Sequence, residues 1–331
     1  MKKILISLFI IAIIIALYAL FFMSNEKVED KNMEKVKIAV YNGEASFLII
    51  LAKQLNYFEK YNLDVELIYN KSGKVAMDTM LNGEAQYSTH TEFVSVKNSF
   101  KNDSFNILAS ISEANVNGML GFKSSGIFKP EDIKGKTIGT SIGTATEFYT
   151  GVFLNQHGLT LNDVKILNVP VKQRYEVMEK KSVDALFAWE PYIYNLQEKY
   201  KNELVYYSMP VGFNYYFLLS VDKNYHQSHK NVSKAILNAI FDAEKFKNKN
   251  ESTFFEMLNK QFNLTNNYGE YIKDKQIFEL TLPFTLNSVM NNQAKWLVEN
   301  NLVEKKNIDI NSFIDLEPLK EINSSSVTYI K

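Results

Sequence analysis

The side chains best suited to chemistry gather where extended runs give way to helical ones. Residues 141–146 read Ser-Ile-Gly-Thr-Ala-Thr. Ser141, Thr144 and Thr146 supply hydroxyl donors, while Gly139 and Gly143 let backbone approach a bound group closely. A helix that begins there presents free N–H groups and a partial positive charge, as a carboxylate, sulfonate or other oxyanion requires. Thr144 also precedes Glu147 by three residues, the spacing of a capping box, so its hydroxyl has a structural use beside a ligand-binding one.

Two other turns have the same grammar, Asn42 to Ser46 and Thr89-His90-Thr91. Asn42, Ser46, Thr89, His90 and Thr91 are therefore candidate ligand contacts, with Glu44 and Glu92 placed to balance helix N-termini. A fourth candidate segment is Trp189-Glu190-Pro191-Tyr192. Pro191 suits a first helical turn and keeps Glu190 extended. Trp189 is then an aromatic wall or a core residue, and Glu190 a ligand contact or a helix cap. Arg174, the only arginine, is an anion clamp or half of a surface ion pair. His90, His157, His226 and His229 show no ligand spacing and there is no Cys, so neither a metal site nor a catalytic residue is expected.

Positioning these turns takes a regular scaffold. Extended runs fall at 36–41, 63–69, 86–88 and 105–111, alternating with helical ones at 46–55, 74–81 and 93–100. The alternation resumes with strands at 136–140, 164–169, 184–188 and 204–207 and helices at 144–157, 171–180 and 192–200. After the apolar run 215–221 the chain reads as helices at 232–247, 252–262, 268–278 and 286–300. This predicts an α/β protein of two lobes joined by two crossover strands, 119–122 and 217–220. Lobe one comprises 35–122 and the returning 217–331, and lobe two comprises 123–216.

Composition narrows the class. The 331 residues carry 37 acidic and 37 basic side chains, which gives no electrostatic case for nucleic acid. Without Cys there are no disulfides, thiolate sites or lipid-modified N-terminal cysteine. Lys2 and Lys3 precede a run from Ile4 to Met23 broken only by Ser7 and the Tyr18 hydroxyl. As a helix that run spans about 30 Å, a bilayer's hydrocarbon thickness. Residues 1–34 are thus a retained membrane anchor or a cleaved signal, with 24–34 as a tether, and the body lies outside the cytoplasm.

Four segments together resemble the nitrate/sulfonate/taurine-type and thiamine-precursor-type periplasmic binding proteins. They are the opening strand, turn and helix with LAKQLNYFEKYNLDVEL, then 81–86 (LNGEAQ), 132–147 (DIKGKTIG through GTATE) and 183–192 (VDALFAWEPY). Gln86 departs from the family's usual Asp. The resemblance implies a type II periplasmic-binding-protein fold, a small-molecule ligand held between lobes, no cofactor, and ABC permease and ATPase subunits as partners of a monomer. The same fold hosts a thiamine-pyrimidine synthase branch, associated with a Cys-rich motif and a lysine–pyridoxal phosphate pair; the absence of Cys argues against that reading. A ligand-sensing ectodomain is the other alternative. Aromatic residues near the predicted cleft, among them Tyr41, Phe47, Phe148, Tyr192, Tyr215 and Tyr216, favour an organic ligand with one acidic group over a bare inorganic anion.

Overall fold

The computed structural model describes residues 33–210 and 212–330. The expected anchor or signal over Ile4–Met23 lies outside the described residues. Among those described, no helix is long and apolar enough to cross a membrane.

The chain opens with β1 (Glu34–Tyr41), whose last four residues are all buried, and β2 (Leu63–Asn70). Between them α1 (Phe47–Gln54) is buried from Phe47 through Ala52, as its unbroken apolar FLIILA run requires. Then come α2 (Tyr57–Lys60), α3 (Gly73–Leu81), β3 (Tyr87–Thr91), α4 (Glu92–Ser99) and β4 (Phe105–Ala114). β10 (Tyr215–Asp222) returns from the second half and inserts antiparallel between β3 and β4. With β11 (Gln276–Ile277) on the outer edge, the first sheet has the order β11-β4-β10-β3-β1-β2.

The second sheet has the order β7-β6-β8-β5-β9, from β5 (Asn117–Phe122), β6 (Thr137–Thr140), β7 (Lys165–Asn168), β8 (Ala185–Trp189) and β9 (Leu204–Ser208). β6 runs parallel to β7 and β8, whereas β5 is antiparallel to β8 and β9. Its helices are α5 (Ala145–Gln156), α6 (Arg174–Glu179) and α7 (Tyr192–Tyr200). After β10 follow α8 (Lys223–Ser228), α9 (Lys230–Lys249), α10 (Glu251–Gln261), α11 (Asn266–Ile272), α12 (Thr285–Glu299) and α13 (Glu317–Ile322). α9 buries Ser233, Ile236, Leu237, Ala239, Ile240 and Ala243, one helical stripe, and packs against α1.

Two expectations need revising. Residues 119–122 are not a crossover strand, because all of β5 pairs inside the second sheet. The chain leaves the first sheet at Asn115–Val116 and returns to it at Tyr215. The helix expected over 268–278 stops at Ile272, and Gln276 and Ile277 pair with Ala114 and Glu113 instead. A helical reading of that stretch missed the free edge of β4, which offers those residues hydrogen-bond partners.

Candidate functional site

A cavity of about 40 Å³, room for a few water molecules, lies between the two sheets. Both sheets build its wall. The first contributes Tyr41 at the end of β1, Thr91 at the end of β3, Val94 of α4, and Tyr215 and Phe217 at the start of β10. It also contributes Ser72, Gly73 and Lys74 at the start of α3. The second contributes Asn117 of β5, Thr144 and Ala145 at the start of α5, and Trp189 at the end of β8. Carboxyl ends of strands and N-termini of helices thus converge, as in ligand sites of open α/β sheets. A larger open groove of about 570 Å³, bordered by Lys295, Glu299 and Lys305, touches no strand end.

The lining contains no Asp or Glu. Its one charged side chain, Lys74, reaches Asp78 at 2.6 Å. Two buried polar atoms at the wall, Asn117 Nδ2 and Thr91 Oγ1, have no hydrogen-bond partner. Ser72 caps α3 by accepting from the Val75 N–H at 3.3 Å.

The start of α5 departs from the expected capping box. Thr144 occupies the N-cap position, but its hydroxyl donates to the Ser141 carbonyl at 2.7 Å and lies 2.8 Å from Thr146 Oγ1. Glu147 Oε2 instead accepts from the Gly143 N–H at 2.7 Å and from Lys97 Nζ at 2.6 Å. Lys97 stands on α4, so this carboxylate is held by a cation from the other side of the cleft. Ser141 donates to the Val169 carbonyl at 2.6 Å and accepts from Arg174 Nη2 at 3.0 Å.

Arg174 is wholly buried, which removes the surface ion pair from its two readings. Its guanidinium carbon lies 3.3 Å from the Trp189 ring centroid and 4.8 Å from that of Tyr192. Nε and Nη1 have no partner. Burial pulls its pKa down to about 10, so it stays charged at neutral pH. On its other side Trp189 donates from Nε1 to the Tyr41 hydroxyl at 2.8 Å, tying the second sheet to the first.

Of the sequence-derived candidates, Thr91, Thr144 and Trp189 reach the cavity wall. Ser141 borders a neighbouring open groove of about 330 Å³ that shares Ser72, Lys74 and Thr144 with the cavity, and Thr146 is buried. Ser46 and Thr89 are 2.9 Å apart through their hydroxyls, and Thr89 Oγ1 accepts from the Tyr41 N–H at 2.9 Å, so this pair fixes the end of β1. Asn42 is exposed, its N–H bonded to the Asn70 carbonyl at 2.8 Å. His90 is fully buried, with Nδ1 3.1 Å from the Thr91 carbonyl and Nε2 unpartnered. Burial lowers its pKa to about 4 and keeps it neutral. Glu190 is buried off the cavity, accepting from the Tyr194 N–H at 2.8 Å and from the Tyr271 hydroxyl at 2.5 Å.

Lys74 and Asn117 escaped the sequence reading. The Ser72-Gly73 N-cap was the available signal for Lys74; Asn117 gave none, standing just before the expected strand 119–122 and at the first position of β5. Two further acids lie near the cleft. Glu44 accepts from the Tyr268 hydroxyl at 3.0 Å and burial raises its pKa to about 8. Glu92 accepts from Gln293 Nε2 and the Tyr216 N–H, and burial raises its pKa to about 7. A hydrogen-bonded series Ser233–His226–Asp315 exists, but Ser233 and His226 are buried and line no cavity described above.

The family model described as NMT1/THI5 like matches residues 45–250. Among solved structures, the chain is similar to the alkanesulfonate-binding protein SsuA of Xanthomonas axonopodis pv. citri bound to MOPS, at 13% identity and TM-score 0.76, covering 85% of this chain and 98% of that one. It is similar to the periplasmic aliphatic sulphonate-binding protein SsuA of Escherichia coli at 15% identity and TM-score 0.71, covering 85% and 97%. It is also similar to the desulfurization enzyme DszB at 13% identity and TM-score 0.67, covering 88% and 99%. These likenesses establish the periplasmic-binding-protein fold. No curated protein sequence matches the chain.

Proposed function

The chain belongs to the NMT1/THI5-like family, and from that premise we propose that it is the solute-binding component of an ABC importer, taking a small organic oxyanion between its two sheets. The carrying observation is a cavity built by strand ends and helix starts from both sheets, free of carboxylates and holding an unpartnered amide donor. Aromatic rings at Tyr41, Trp189, Tyr215 and Phe217 suit an organic body, and the helix starts suit a sulfonate-like head. We place the hinge at Asn115–Val116 and in the chain between β9 and β10, the two passages between sheets. No nucleophile–base pair lines the cavity, which favours binding over the catalysis of the desulfurization-enzyme neighbour. The protein acts outside the cytoplasm as a monomer, with permease and ATPase partners and residues 1–34 as its link to the membrane.

A thermal-shift panel of alkanesulfonates, taurine, nitrate, carboxylates and pyrimidines tests the reading. A cognate compound at about 100 times its Kd adds roughly 2.7 kcal/mol of stability. Stabilisation by nitrate alone, or by pyrimidines alone, would refute an organic oxyanion.

A further inference from the structure

Arg174 is the least compensated charge described above. Its side chain is wholly buried, Nη2 is satisfied by Ser141, and Nε and Nη1 find no acceptor. The guanidinium stacks on Trp189 and Tyr192, and among the described residues no carboxylate forms an ion pair with it. Isolated buried charges are costly and are ordinarily paired, so a guanidinium left in this state lacks its counter-ion. The surroundings are equally one-sided. Ser141 ties the guanidinium to the start of α5, a helix of twelve residues, and Asn117 Nδ2 is a second buried donor with no partner. Trp189 lines the cavity and stacks on the guanidinium, so it touches both the cavity and the charge.

We propose that Arg174 is the anchor for the ligand's anionic head, a sulfonate or carboxylate that supplies the missing acceptor to Nε or Nη1, with the start of α5 and Asn117 as accessory donors. The inference rests on the solute-binding reading and makes it more specific. The ligand's anionic end is the one that meets Arg174, since Lys74 of the cavity wall already has Asp78. Its organic body lies against the rings of Tyr41, Trp189, Tyr215 and Phe217. The cavity of about 40 Å³ is too small for such a molecule, so Trp189 shifts to admit it as the cleft closes.

The test uses the full-length chain and three probes of one chain length, hexanesulfonate, hexanoate and neutral hexanamide, titrated calorimetrically. The wild type is expected to prefer an anion over the amide by about 100-fold or more. Arg174→Met loses that preference, and its ligand-free melting temperature stays level or rises because an unpaired buried charge has been removed. A merely structural arginine, needed for its stacking on Trp189, would lower the melting temperature and leave the anion preference in place. Arg174→Lys, which keeps charge but not the planar fork, weakens anion binding at least 10-fold and carries the test alone if the Met variant does not fold. Undiminished preference in either folded variant overturns the anchor alone. A wild type that binds neither anion overturns the anchor together with the organic-oxyanion reading.

Discussion

Gly151 offers a way to move the closure equilibrium without touching the cavity. It lies in α5, beside the second sheet, and a Cβ built on it would sit 2.3 Å from Trp296 Cζ2 and 2.8 Å from Cε2. Carbon atoms normally approach to about 3.5–4.0 Å, so the methyl of Gly151→Ala demands more than about 1 Å of displacement. Trp296 cannot swing aside: it is 7% exposed and packed edge-on against Phe148 at 5.4 Å and Phe93 at 6.2 Å. Because α12 follows the first sheet and α5 the second, the clash is relieved most cheaply by parting them. Overpacking of this kind costs about 1–3 kcal/mol and falls on the closed form alone. The gain of about 0.8–1.0 kcal/mol from replacing helical Gly with Ala is shared by open and closed forms and cancels between them. The ligand that closes the cleft should therefore bind about 5- to 150-fold more weakly. Small-angle scattering should report a larger radius of gyration for the ligand-free variant, and calorimetry the weaker affinity. An Ala variant with the wild-type radius and affinity would show that this contact plays no part in closure.

The other predictions concern buried polar groups. Ser46→Ala and Thr89→Val should each lower stability by about 1 kcal/mol in urea melts while leaving ligand affinity unchanged, since both hydroxyls serve the end of β1. Tyr271→Phe strips a donor from the buried Glu190 carboxylate and should cost about 1–3 kcal/mol, read by the same melts. Glu44, raised from 4.5 to about 8, and Glu92, raised to about 7, bind protons more tightly folded than unfolded. Their contribution is complete below about pH 4.5 and is lost as pH rises to about 8, so Glu44→Gln should flatten the decline in melting temperature across that window. His90, lowered from 6.5 to about 4, has the opposite sign: its contribution is present above pH 6.5 and lost as pH falls through 4, and a His90→Gln melt series should lack that acid limb.

The architecture was legible because strand–helix alternation is written in local periodicity, and β1, α1, α3 and β6 fall within a residue or two of their expected bounds. The crossover was not, because β5 is buried along its whole length and its apolar run does not say which sheet it joins. The turns were legible as turns but not as to which way their side chains face. Thr89 and Ser46 look like donors for a ligand until their hydroxyls are seen to face each other. Arg174 is a different case: the sequence leaves it open between an anion clamp and a surface ion pair, and only the fold reveals that it is buried against Trp189. Burial of a charge is a tertiary property, and no spacing in the sequence encodes it.

The sign of the ligand's charge follows from which ionisable groups near the cleft remain uncompensated. Glu44, Glu92 and Glu190 sit close enough to the predicted turns to suggest a cationic ligand. Each is instead buried, hydrogen-bonded to donors of the protein and pushed upward in pKa by desolvation. Glu44 is mostly protonated at neutral pH, and Glu190 is held by the Tyr271 hydroxyl and the Tyr194 N–H, so neither presents free negative charge to the cavity. Glu147, the remaining acid at the α5 start, is paired with Lys97. Among these groups the field left over is positive, from the helix starts of α3 and α5 and from Arg174. A cation entering this cleft would meet in Glu44, whose Oε2 has no partner, an acid that is mostly protonated, and in Glu190 a carboxylate already held, whereas an anion meets donors that have no partner.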